Sequence, residues 1–229
     1  MLASSQLNQK RSDSQKSADG KKRRRVDTDE AADGDYSMDS IRCLQPLLRC
    51  LETCIRSDAH DGGQWTRADD ARRYNLLLEP LGKLLQCRIS ASVISDDNDG
   101  GFATAIDAYR AIVQGSDDDG SSSSDTGSVM GCLVALASAS GDEQLWKPLN
   151  YAVLQACANE RRPEVRKAGV SCLLSLIRSL GEEYMVLLPE CLPNLSELLE
   201  DSDEDIAGLA QECIRLSEEL LGESLQDSL

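Results

Sequence analysis

Apolar residues first fall into a helical rhythm near residue 41. Ile41, Leu44, Leu47, Leu48, Leu51 and Ile55 advance by 3, 3, 1, 3 and 4 residues, which places them on one face of an α-helix. A second helix is predicted over residues 67–85, with Leu76, Leu77, Leu81, Leu84 and Leu85 facing inward. Pro80 should kink or divide it, because proline lacks an N–H and crowds the carbonyl four residues earlier. Residues 88–94 read equally as a continuation of that helix or as extended chain. A short helix is expected at about 102–113, between Asp/Ser/Gly-rich loops at 95–101 and 115–128.

The second half of the chain repeats itself. A shift of 41 residues lays Pro148 on Pro189, Leu154 on Leu195, Val165 on Ile206 and Cys172 on Cys213. It also pairs Leu173 with Ile214, and Leu180-Gly181-Glu182 with Leu221-Gly222-Glu223. A period near 40 with two helices per unit marks HEAT or armadillo solenoids. The second helix of each unit is amphipathic. One runs Val165, Ala168, Gly169, Cys172, Leu173, Leu176, Ile177, Leu180, and the other runs Ile206, Leu209, Ala210, Cys213, Ile214, Ser217, Leu220, Leu221. Pro163 suits a first helical turn, where a missing N–H costs nothing. Ser202 with Asp205 has the form of a capping box, and Gly181 and Gly222 fit left-handed caps. Such a helix pair is marginal alone, so the units must stack on one another, giving an elongated support with a concave face.

Composition supports helices and restricts partners. Aromatic residues make up only 3% of the 229 residues, and strands lean on aromatic and β-branched side chains. The net charge is −16, yet residues 1–26 carry eight Lys or Arg against two Asp. The remainder is therefore more acidic than the whole and repels phosphate backbones, which disfavours direct nucleic-acid binding by the folded part. Residues 1–38 have too few apolar side chains to offset their ordering entropy and are expected to be disordered. Within them Lys21, Lys22, Arg23, Arg24 and Arg25 form a run of nuclear-import type.

Candidate chemistry is sparse. The nine cysteines stand singly, without a C-x-x-C pair, mostly at helical spacing among Leu, Ile and Ala, so buried free thiols are expected. His60, the one histidine, falls in a Gly/Asp stretch at 58–63 that reads as a loop. One His without paired thiols gives no zinc set, and no phosphate-binding loop or nucleophile elbow occurs. Asp96, Asp97, Asp117 to Asp119 and Asp201 to Asp205 read as solvated loop or helix-start carboxylates. No apolar run reaches the length of a membrane span, and residues 1–10 lack the apolar stretch of a secretory signal. The expectation is a chain without catalytic residues, cofactor, metal, membrane contact or small-molecule substrate.

Several short motifs then resemble a known family. They are Leu145-Trp146-Lys147-Pro148-Leu149-Asn150, Pro163-Glu164-Val165-Arg166 and Leu180-Gly181-Glu182-Glu183-Tyr184. Further on come Leu187-Leu188-Pro189-Glu190, Glu197-Leu198-Leu199-Glu200-Asp201 and Leu221-Gly222-Glu223-Ser224-Leu225. In this order they are similar to the end of the HEAT repeat-containing protein 1 / U3 small nucleolar RNA-associated protein 10 family, and residues 73–85 resemble the segment before its last repeats. The resemblance implies a scaffold of the small-subunit processome, the U3 ribonucleoprotein that matures 18S rRNA in the nucleolus, with support of rRNA transcription. It implies protein partners, WD40-propeller subunits among them, with U3 snoRNA and pre-rRNA reached mainly indirectly. Family members run to well over a thousand residues, so the resemblance also implies that the chain is a fragment, the product of a truncated gene model or an unusual short form. Where the family has an aromatic and Ala after Leu-Leu-Pro-Glu, this chain has Cys191-Leu192-Pro193-Asn194-Leu195-Ser196, which predicts lower packing volume in the final repeat.

The expected fold is all-α, a HEAT/armadillo-like α-α superhelix with a disordered basic N-terminal tail and acidic loops. Four parts are expected: the tail at 1–38, a helical region at 39–114, an acidic Ser-rich loop at 115–128, and terminal repeats at 129–229. Trp146, Pro148, Val165, Arg166, Gly181, Glu182, Tyr184, Pro189, Glu190, Gly222 and Glu223 are the motif positions to locate, with packing between repeats as their expected role. The alternative to a nucleolar scaffold is a general HEAT-repeat adaptor in the nucleus.

Overall fold

The computed structural model describes residues 38–60, 63, 71–89, 104–115 and 127–225, all within the unit formed by residues 33–229, and for residues 38–42 the backbone alone. The expected tail before Met38, including residues 21–25, lies outside the described residues, as do the loop at 95–101 and most of that at 115–128.

Every regular element among the described residues is helical. In chain order these are α1 (Met38–His60), α2 (Ala71–Leu85), α3 (Ala105–Val113), α4 (Val129–Ser140), α5 (Glu143–Cys157), α6 (Pro163–Leu180), α7 (Leu188–Leu199) and α8 (Glu204–Leu221), with a 3-10 segment at Gly181–Leu187. The helices form two layers. In one, α1 packs on α4, α4 on α6, and α6 on α8; in the other, α2 packs on α5 and α5 on α7. Rungs join the layers where α5 meets α6 and α7 meets α8. The fold class is the expected one, an all-α stack of paired helices of HEAT type.

The two helices predicted from the 41-residue period are α6 and α8, each 18 residues long. Most of each stripe is buried, with Val165, Cys172, Leu173, Ile206 and Cys213 without measurable exposure, but Leu180, Leu209 and Leu220 are half-buried and Leu221, expected on the inner face of α8, is exposed at its end. Each fully buried aliphatic side chain contributes about 1.5–3 kcal/mol, and α6 is buried on several sides because it has a neighbour in each direction along its layer. α4 differs, being apolar around most of its circumference, and it sits among α1, α2, α5 and α6.

Several local expectations are corrected. Leu47 and Leu76, placed on inner faces, are 63% and 66% exposed. α1 meets α4 through Leu48, Glu52 and Ile55, and Tyr74 with Leu78, Leu81 and Leu85 forms the inner face of α2, so the packing partner rotated both stripes. Pro80 does not divide α2, and Pro46, Pro148 and Pro193 likewise lie inside helices. All four face outward, where water can satisfy the carbonyl each leaves unpaired. His60 is not in a loop but closes α1, exposed.

The caps of the repeats also shift. Asp203, rather than Ser202, caps α8, its carboxylate accepting from the Asp205 N–H at 3.0 Å. Gly222 is the expected left-handed cap of α8, at φ 72° and ψ 15°. Gly181 has φ 58° but ψ −132°, so it turns the chain into the 3-10 segment instead of making a left-handed cap. Pro163 opens α6 as expected.

Candidate partner-binding surfaces

The motif positions divide between the joints of the stack and its surface. Trp146, 5% exposed, donates its indole N–H to the Ala137 carbonyl of α4 at 2.8 Å, tying α5 to the preceding helix. Val165 is fully buried in α6. Tyr184, in the 3-10 segment, is 1% exposed and donates its hydroxyl to Asn150 Oδ1 at 2.5 Å, with Cys191 Sγ 3.3 Å away. The Tyr184 hydroxyl lies beside Cys191, which is fully buried there. Pro148, Glu182, Pro189, Glu190, Gly222 and Glu223 are exposed. The run at residues 21–25 lies outside the described residues.

Arg166 joins consecutive repeats. Its guanidinium grips Asp201 in a two-point pair, Nε to Oδ2 at 2.7 Å and Nη2 to Oδ1 at 3.0 Å, and Nη1 donates to the Asn159 carbonyl at 3.0 Å. The Asp201 side chain is only 7% exposed, so the reading of this carboxylate as merely solvated is corrected. The hydrogen bonds from Arg166 hold its carboxyl below the usual range. Lys167 pairs with Asp205, and Arg178 with Glu212, across the same α6–α8 joint. The separations of 35, 38 and 34 residues approach the repeat length. These separations fall short of the 41-residue period by unequal amounts, so neither the repeat offset nor the charge runs marked the pairs.

Arg162 was also missed. It ends the α5–α6 turn and reaches back to the Gln86 and Cys87 carbonyls at 3.1 and 2.8 Å, pairs with Glu164, and lies 5.5 Å from the Tyr109 ring centre. One side chain thereby fastens the end of α2 and α3 to the terminal repeats. No local pattern marks it, since its partners are backbone carbonyls some 75 residues away.

The expectation of buried thiols holds at six positions and fails on α1, where Cys43, Cys50 and Cys54 are exposed. Burial pushes the Cys87 thiol up to about 11 and those of Cys132, Cys172 and Cys213 up to about 12. These thiols are neutral near pH 7 and are poor nucleophiles or ligands. Among the described residues no three His, Cys, Asp or Glu side chains converge on a metal position. No helix there is long and apolar enough to cross a membrane.

A groove of about 310 Å³ lies between the α5–α6 turn and the end of α7. Cys157, Ala158 and Leu198 form its apolar wall, and Glu160, Glu197 and the Arg166–Asp201 pair border it.

Similarity to known proteins bears on what these surfaces hold. An uncharacterized Arabidopsis thaliana protein is 30% identical over 183 residues, 80% of this chain and 7% of its own length. Human HEAT repeat-containing protein 1 is 42% identical over 95 residues, 42% of this chain and 4% of its own length. U3 small nucleolar RNA-associated protein 10 of Coccidioides immitis is 38% identical over 104 residues, 42% of this chain and 6% of its own length. The chain is a homologue of the HEAT repeat-containing protein 1 / U3 small nucleolar RNA-associated protein 10 family. No family model matches the chain. It spans less than a tenth of the length of each of these three relatives. Among the motif positions named from the sequence, Val165 is buried and Trp146, Arg166 and Tyr184 make the contacts described above, while Pro148, Pro189 and Glu190 lie on the outer side of α5 and α7.

Proposed function

We propose that the chain serves ribosome biogenesis as a non-catalytic scaffold of the small-subunit processome, acting in nucleolar pre-18S rRNA processing and supporting rRNA transcription. The observation that carries this reading is the kinship with proteins named for the U3 small nucleolar RNA, at about 40% identity over some 42% of the chain. The stacked helices support it physically. Arg166 and Trp146 spend their polar groups on joining helices, and burial keeps the Cys172 thiol neutral. Protein partners, WD40-propeller subunits among them, would bind the exposed helix faces. U3 snoRNA and pre-rRNA would be reached mainly through those partners, because the acidic body repels phosphate.

The proposal keeps the division into a tail at 1–38 with an import address at residues 21–25, helices at 39–114, a loop at 115–128 and terminal repeats at 129–229. A tagged chain purified from cells should bring down U3 RNA and pre-rRNA, and the association should survive 200 mM salt, which strongly weakens a tail of about six net positive charges on RNA. Deleting residues 21–25 should abolish nucleolar enrichment of the tagged chain. Absence of both RNAs from the purified material would remove the processome reading, and unchanged localisation would remove the import address.

A further inference from the structure

The groove beside the Arg166–Asp201 pair combines features that the joint itself does not need. The apolar part of its wall is the exposed Ala158, with only the edges of Leu198 and Cys157, 4% and 1% exposed, beside it. Its border holds three carboxylates, those of Glu160, Glu197 and Asp201, and one cation, Arg166. Asp201 already takes up that cation through two hydrogen bonds. Glu160 and Glu197 are exposed and form no ion pair among the described residues, so the unneutralised charge of the groove's lining is negative. The Asn194 amide and Ser202 hydroxyl add polar groups at the rim. At about 310 Å³ the groove is at the small end of ligand clefts, roughly 300–1,000 Å³, and fits one long side chain with its flanking backbone.

An apolar wall with anionic edges matches a side chain that has an aliphatic stem and a cationic head. Stem and head then meet their complements together: methylenes against Ala158 and the edge of Leu198, and a guanidinium or ammonium at Glu160 and Glu197. Phosphate is repelled by the same carboxylates, which decides between a nucleic acid and a protein. The geometry points to this groove as a docking site for an arginine or lysine presented by an extended segment of a partner protein. The proposal rests on the scaffold reading and gives it a partner chemistry and an address between two successive repeats.

The test uses the full chain and a fluorescein-labelled heptapeptide, Arg-Lys-Arg flanked by Gly and Ser, followed by fluorescence anisotropy in 150 mM salt. Glu160→Gln with Glu197→Gln should weaken binding ~10-fold, a few-fold for each rim carboxylate. The control Glu182→Gln with Glu190→Gln removes the same charge from exposed sites off the groove and should weaken it less than about 3-fold. In NMR spectra the peptide should move the amide signals of Ala158, Asn194 and Ser202. Equal losses in the two double variants would reduce the effect to diffuse attraction by an acidic surface and overturn the proposal, as would absence of binding. Spermine binding with the same dependence on Glu160 and Glu197 would overturn the choice of a protein segment. None of these outcomes alters whether the chain co-purifies with U3 RNA, so failure of the groove is distinguishable from failure of the scaffold reading.

Discussion

Two glycines in the same layer of the stack should respond oppositely to one added methyl group. Gly169 lies in α6 where that helix crosses α5, and Gly208 lies in α8 on an exposed face. A Cβ on Gly169 would stand 2.7 Å from the Cys157 backbone nitrogen and 3.0 Å from both the Ala156 carbonyl carbon and Cys157 Sγ. Two of these three neighbours are backbone, so relief requires moving one helix away from the other. A Cβ on Gly208 meets nothing within 4 Å. Replacing a mid-helix glycine with alanine gains about 1 kcal/mol of helix propensity at either site. At Gly208 that gain stands alone. At Gly169 it is opposed by overpacking, typically about 1–3 kcal/mol and here at the upper end because backbone must shift. Gly208→Ala should therefore stabilise by about 1 kcal/mol and Gly169→Ala destabilise by about 1–2 kcal/mol. For a folded unit of this size each kcal/mol moves Tm by about 2–4 °C, so the two variants should melt about 4–12 °C apart. Far-UV circular dichroism melts of the two proteins provide the measurement. If both alanines raised Tm equally, α5 and α6 would not approach as closely as described, and the packing of the first repeat would need revision.

Removing the Asp201 carboxylate with Asp201→Ala should cost about 1.5–3 kcal/mol, the range for hydrogen bonds to a charged group, and loosen α6 from the α7–α8 turn. Because Arg166 lowers the folded-state value of this group, its contribution is present above the unfolded carboxylate range near pH 4 and lost as pH falls through the folded value. The stability gap between parent and Asp201→Ala, measured by urea titration, should thus be full at pH 7 and shrink below about pH 4. A gap unchanged at pH 3 would refute the ionic character of the joint. Thiol labelling of the native chain should modify Cys43, Cys50 and Cys54 quickly and the six buried thiols only on unfolding. Mass spectrometry showing Cys172 or Cys213 labelled at the rate of Cys43 would contradict the assigned core.

The amino-acid sequence determined the elements whose information is local. Residues 165–180 and 206–221 carry largely apolar stripes at helical spacing and one repeat period, so their existence, type and most of their buried faces were legible, and so was the all-α class. The family likeness was legible as well, because short motifs survive in order along the chain. The tertiary structure alone decided what depends on a partner. The rotation of α1 and α2 was set by docking, which turned Leu47 and Leu76 to solvent and brought Tyr74 inward. α4 has no stripe to read, since a helix surrounded on most sides is apolar on most sides. The pairs Arg166–Asp201 and Arg162 with the Cys87 carbonyl join residues 35 and 75 positions apart. Periodicity reports which face of a helix avoids water; it carries no record of which distant charge or carbonyl that helix will meet, because such partners come together only once the layers stack.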